Sequence, residues 1–377
     1  MSRTRKIFLY VALPLIIVFA AVINWVARDR VAITATNNST AGGQDVVKSD
    51  PRKLEFTAQI FDPSLISHIT PLGELNGGGS EWQATTGVMI NIKPAVVSGD
   101  KMIDVFAPTA MTLESYSYHR DPRSNGNADW TLIFRINENV TIKFDHITKA
   151  VDKIVAVTTS TPKDRSNEET PRSKISFGAG ELIATTHGTS LAKNWNIYMT
   201  DRSVTNNFAN QTRYEKSQIG YRFINGACPL NYYESAVKAT YLALMGATKA
   251  GQSQDCGNPS KDVAGTLSGA WFFDKDNSNT TEQIDGNFVS PLAVYLDSAN
   301  RVIIDQIANT QFRVEGGIDP ATVTTEQCYK LVNNNNGQTA GYAYFKLTSP
   351  SEMSLAYSPS GSCPASMPTR NTKAYYR

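Results

Sequence analysis

The sequence predicts a mainly β protein in three parts: an N-terminal transmembrane helix, a β-sheet domain with one packed helix, and a small antiparallel β-sandwich or barrel. Three observations carry this. An uncharged apolar run of 21 residues, Ile7 to Ala27, follows Arg3, Arg5 and Lys6. Short alternating or β-branched runs recur from Leu54 to about Ala250, with a single helical stretch among them. After a polar segment, about seven more such runs reach the C-terminus.

Residues 1–6 form a basic cytoplasmic tail and residues 7–27 the anchor. At 1.5 Å per residue the run spans about 30 Å, the thickness of a bilayer's hydrocarbon core. Trp25 sits near its far end, where amphipathic rings favour the interface. A cleaved secretory signal ending near the "VFAA" stretch is the rival reading. Both place the chain from about residue 28 outside the cytoplasm. Residues 28–53, rich in Thr, Asn and Gly, read as a flexible linker. The four cysteines fit an oxidising compartment, and none forms a C-x-x-C pair. Proximity favours Cys228–Cys256 and Cys328–Cys363, with free buried thiols as the alternative.

In the first β region, 54–250, strands are expected at 86–94, 102–108, 111–119, 129–137 and 140–147, with a turn at 124–129. Residues 161–174 read as a charged, solvated, mobile loop. The helix is expected over 231–246. Asn231 and Glu234 are spaced as a capping box, Tyr233, Val237, Tyr241 and Leu244 line one stripe, and Gly246 ends it. Residues 251–261 are a linker by composition. In the C-terminal β domain, 262–377, strands are expected at 266–274, 287–297, 301–308, 310–316, 327–333, 340–347 and 353–358, with a turn at 333–338. Gly269-Ala270-Trp271 resembles the G-x-W that opens lipocalin-type barrels. That resemblance implies a core tryptophan, with a cup for one small molecule as the alternative.

Thirty-six Lys and Arg against 34 Asp and Glu leave a net charge of +2, with no block of like charge to recruit nucleic acid. There is no G-x-S-x-G elbow, phosphate loop or G-x-G-x-x-G turn. No cofactor is expected.

Four stretches over residues 56–225 occur in the order found in lysostaphin/LytM-type peptidoglycan endopeptidases. "DVFAPTAMTLESYSY" resembles the family's V-x-A-P-x-x-G-x-V entry, with Ala110 where glycine is usual. "DWTLIFRINENVTIKFDHIT" resembles the strands ending in Y-x-H-L, with Phe144, His146 and Ile147 in place. "ISFGAGELIATT" resembles the V-x-x-G-x-x-I-G turn, and "NWNIYM" stands where the family has H-x-H-F. The resemblance implies a curved antiparallel β-sheet fold. It also implies a zinc set drawn from an early His-x-x-x-Asp and the second His of His-x-His. Here those positions fall on Gly87, Asn91 and Asn196, with Asn194 at the first His of the pair. Only His146 remains of the catalytic set, so neither zinc nor hydrolysis is expected there. The expected role is a membrane-anchored, extracytoplasmic binding or regulatory module, with a cell-wall polymer or envelope protein as partner. An active zinc endopeptidase with divergent ligands and a purely structural surface protein are the rivals. Binding residues are expected among Trp82, Asn91, Trp130, His146, Asn194, Trp195 and Asn196. His68, His119 and His187 read as packing or turn residues, since the spacing of the four histidines matches no helix or strand pairing.

Overall fold

The computed structural model describes residues 54–74, 85–98, 101–121, 127–158, 168–189, 193–216, 220–275, 283–284, 287–288, 292–307, 310–314, 317–333 and 336–377. The expected anchor, the linker at 28–53 and Trp82 lie outside them. Among the described residues no helix is long and apolar enough to cross a membrane. Residues 50–377 form one compact unit that is mainly β and holds two large sheets, each with its own core.

Ten strands build the first half: β1 (Ile66–Thr70), β2 (Gly87–Ile92), β3 (Ile103–Phe106), β4 (Met111–Asp121), β5 (Asn127–Arg135), β6 (Val140–Ile147), β7 (Lys149–Ala150), β8 (Ser176–Phe177), β9 (Leu182–Thr186) and β10 (Asn194–Asp201). Seven form one sheet in the order β1-β2-β10-β6-β5-β4-β8, and β3-β9-β7 form a second, smaller one. Side chains alternate across a strand, so each strand gives one apolar row to the core. Ile142 and Phe144 of β6, Leu132 and Phe134 of β5, and Trp195 and Ile197 of β10 are all fully buried. Ile103 and Val105 of β3 and Ile183 of β9 belong to the same core.

The expected helix over 231–246 is shorter. A 3-10 turn at Pro229–Tyr232 precedes an α-helix at Ser235–Leu242, whose N-cap position is Glu234, without a side-chain cap bond. The backbone before it is used elsewhere. Tyr232 C=O accepts Phe56 N–H at 2.8 Å, and Tyr233 Oη donates to Ala58 C=O at 2.9 Å. At the other end Ile69 pairs with Met245, through Ile69 N–H to Leu244 C=O at 2.8 Å and Gly246 N–H to Ile69 C=O at 2.9 Å. Tertiary pairing therefore removes a turn from each end. Val237 and Leu244 pack partly buried on the core, and Tyr233 and Tyr241 are buried in it.

The loop expected to be solvated is docked where it is described. Glu169 exchanges backbone hydrogen bonds with Tyr116 at 3.0 and 2.8 Å, and Ser115 Oγ donates to Glu168 at 2.6 Å. Disulfides join Cys228 to Cys256 and Cys328 to Cys363. Cys256 is buried, and its carbonyl accepts Leu72 N–H at 2.9 Å, so residues of the 251–261 stretch lie against the first half.

The second half holds β11 (Gly269–Trp271), a short hairpin of β12 (Gln283–Ile284) and β13 (Asn287–Phe288), then β14 (Leu292–Leu296), β15 (Val302–Ile307), β16 (Thr310–Val314), β17 (Glu326–Asn333), β18 (Thr339–Ser349), β19 (Glu352–Ser358) and β20 (Thr372–Tyr376). β11 and β14–β20 form an eight-stranded antiparallel meander, which is a nearly closed barrel and not a sandwich. Phe272, just after β11, bridges to Tyr376 of β20 through backbone bonds of 2.8 and 2.6 Å. The single strand expected at 287–297 is two, and β20 was not expected. The barrel core is built of side chains, among them Trp271, Ile304, Tyr329 and Phe345. That fits an eight-strand bore filled from within rather than a cup. Arg377 lies with its guanidinium 3.9 Å from the Trp271 ring.

Candidate functional site

One face of the seven-stranded sheet carries three of the candidate residues, Asn91, Asn194 and Asn196. Residues paired directly across antiparallel strands share a face. His68 pairs with Asn91 and Asn91 with Asn194; Thr70 pairs with Met89, Met89 with Asn196, and Asn196 with Asp145. A polar band thus crosses β1, β2, β10 and β6. Its members bond one another. Asn91 Nδ2 donates to Thr70 Oγ1 at 3.1 Å, Thr189 Oγ1 donates to Asn194 Oδ1 at 3.3 Å, and Asn194 Nδ2 reaches Met89 Sδ at 2.7 Å. Asn194 and Asn196 are buried at 9% and 5% exposure, so they are not ordinary surface amides.

Two expected binding residues belong to the core instead. Trp195 is fully buried on the opposite face, edge-on to Phe61 with ring centres 5.6 Å apart. Trp130 is buried against Tyr118 at 4.7 Å. Neither ring is free to stack on a ligand.

His146 is not isolated. Pairing of β5 with β6 slips between Trp130↔Ile147 and Leu132↔Phe144, so β6 carries one extra residue, and His146 takes a left-handed backbone with φ 62°. Its Nδ1 lies 3.0 Å from Asp129 Oδ2, and His119 Nε2 lies 3.4 Å from the same oxygen. Asp145 Oδ1 accepts Thr131 Oγ1 at 2.5 Å and His146 N–H at 3.2 Å, while Oδ2 faces Lys143 Nζ at 2.9 Å. Burial opposes charge on His146, but the Asp129 hydrogen bond and the two carboxylates outweigh it and raise its pKa. Burial alone would raise the Asp145 pKa; Lys143, His146 and Thr131 reverse this and hold it below the usual carboxylate range. Asp129 Oδ1 is buried without a hydrogen-bond partner.

The sequence signal for this cluster was present only in part. The strands expected at 111–119 and 129–137 do pair, and that pairing, which the sequence reading did not draw, sets His119 opposite Asp129. Asp145 and His146, being adjacent, should face opposite ways in a regular strand; the bulge removes that rule. His146, the one residue kept from the catalytic set that the resemblance implies, has Asp129 and Asp145 as donor neighbours. Of the other histidines, His68 Nδ1 bonds Ser67 Oγ at 3.1 Å and His187 Nδ1 lies 3.0 Å from Gly188 C=O.

The zinc implied by the endopeptidase resemblance does not fit the residues present. Zinc needs imidazole, thiolate or carboxylate donors. Asn91 and Asn196 offer amides, and Gly87 offers none. Nor is there room for one: a Cβ on Gly87 meets Tyr198 Cδ1 at 2.6 Å and Ile197 C=O at 2.7 Å. No family model, no curated protein and no solved structure matches this chain.

Proposed function

We propose that this chain is an exported binding module of the cell envelope. Its first sheet is an endopeptidase-like scaffold that has lost its zinc set, it is anchored by residues 7–27, and its partner is a wall polymer of peptide and sugar. One observation carries this: Asn91 and Asn196, which the resemblance aligns with metal ligands, share one sheet face with Asn194. Two further features support it. β2, β10 and β6 are neighbours, which is the order that gathers an early strand, a late strand and the His146 strand around one site. β3, from the A-P stretch, pairs with β9, which follows the glycine turn. Paired amides both donate and accept, which suits peptide and sugar groups without a metal. The two disulfides favour an oxidising compartment.

The test is incubation of full-length protein with purified wall polymer, followed by sedimentation. Saturable retention in the pellet without release of soluble fragments is expected. Fragment release would instead make the chain a hydrolase, and retention no better than that of an unrelated surface domain would make it a structural protein.

A further inference from the structure

The band of amides leads, through the Asn196–Asp145 pair, to a donor cluster on β4 to β6. His119 comes from β4, Asp129 from β5, and Asp145 and His146 from β6. Two imidazoles and two carboxylates are donors that a borderline-soft ion of the zinc type accepts, whereas calcium and magnesium take oxygen alone.

The two distances from Asp129 fit one ion. Two ligands on a tetrahedral zinc, each at its usual bond length, stand about 3.3 Å apart. Asp129 Oδ2 lies 3.0 Å from His146 Nδ1 and 3.4 Å from His119 Nε2. Ligand atoms of Asp129, Asp145 and His146 all lie within 4.8 Å of one another, so these three close by a small movement, while His119 stands outside that group, next to Asp129 alone, and joins the ion by rotating its half-exposed side chain.

Three other features need a reason, and a cation supplies it. Asp129 Oδ1 is buried with no hydrogen-bond partner, which costs stability unless something pairs with that carboxylate. His146 holds a left-handed backbone, strained for a non-glycine residue, with its ring bonded to Asp129. Lys143, which neutralises Asp145 at 2.9 Å, also lies 4.4 Å from the centre of the Tyr198 ring, so it keeps a partner if it yields Asp145 to an ion.

We propose that His119, Asp129, Asp145 and His146 bind one divalent transition-metal ion of the zinc type, clasping β4, β5 and β6 together. Four protein donors leave no open position, so the ion is structural and carries no hydrolytic water. The site is separate from the Gly87–Asn91–Asn196 place and does not depend on what the chain binds.

Tag-free full-length protein, stripped with chelator, is titrated with Co2+ and then Zn2+. The expected result is one equivalent of Co2+ with the intense visible absorption of four-coordinate cobalt, displaced by Zn2+, and a higher unfolding temperature with zinc. His146→Asn removes the imidazole but tolerates the left-handed backbone, and Asp129→Asn keeps the shape. Each should weaken zinc binding at least ten-fold, while His187→Gln leaves it unchanged. No saturable band from folded wild-type protein, or equal affinity in both variants, overturns the proposal. If neither variant folds, the half-exposed His119→Gln decides: a loss of affinity of at least ten-fold supports the site, and unchanged affinity overturns it.

Discussion

Gly87 decides the metal question at the residue scale. Its missing side chain is a steric requirement, because the Tyr198 ring and the Ile197 carbonyl fill the space a Cβ needs. Gly87→Ala should therefore destabilise the protein by about 1–3 kcal/mol as an overpacking change. Chemical denaturation of the variant checks this; a neutral effect would show that the Tyr198 ring gives way. Arg377 is the corresponding residue in the barrel. Its guanidinium stacks on Trp271 and donates to the carbonyls of Val263 and Thr266 at 3.2 and 3.0 Å. Arg377→Ala removes a desolvated cation–π contact and leaves buried Asp262 without its cation, at a cost of about 2 kcal/mol or more. The urea midpoint of that variant measures it, and an unchanged midpoint contradicts the stacking role.

Strands were the most legible elements, because period-two patterning is local. "VTIKFDHI" reads as 140–147 from sequence and is β6 over the same residues. The helix at 231–246 was less legible. Its apolar stripe was real, but Phe56 and Ile69, far away in sequence, take the backbone at both ends. β20 was missed because Thr372–Tyr376 lacks alternation and pairs with β19 and the end of β11 only once the barrel closes. The His146 cluster was missed for a similar reason: a bulge cannot be read from the strand that carries it. Disulfides were inferable from proximity and compartment, and each closes a loop within one half of the chain, with sequence separations of 28 and 35. Loop entropy of that size stabilises by about 3.5–4 kcal/mol per bridge. Reduction should lower the urea midpoint stepwise, and removing only Cys328–Cys363 should leave the hydrogen-exchange protection of β1, β2 and β10 unchanged. Loss of protection there would show that the halves unfold as one.

At the scale of the whole molecule, the two halves meet at buried polar groups. Glu74, after β1, accepts Ser298 N–H at 2.9 Å from the turn between β14 and β15, with Lys261 and Asp297 nearby. Burial raises the Glu74 pKa above its ordinary 4.5, against the pull of Lys261. Above pH 4.5 the unfolded chain releases this proton while the folded chain retains it. Stability therefore falls as pH rises from there through the folded value, and then levels off. Glu74→Gln keeps an acceptor for Ser298 and removes that slope; parallel pH curves for variant and wild type would rule the effect out. The amide band of the first sheet is no part of the barrel core. The most direct test compares wall-polymer retention of the wild type, the Asn194→Ala/Asn196→Ala double variant, and Phe273→Ala at an exposed barrel-side position. Affinity at least ten-fold weaker in the double variant, with Phe273→Ala unchanged, is the predicted result. Equal retention by the double variant and the wild type would contradict a binding face on β10.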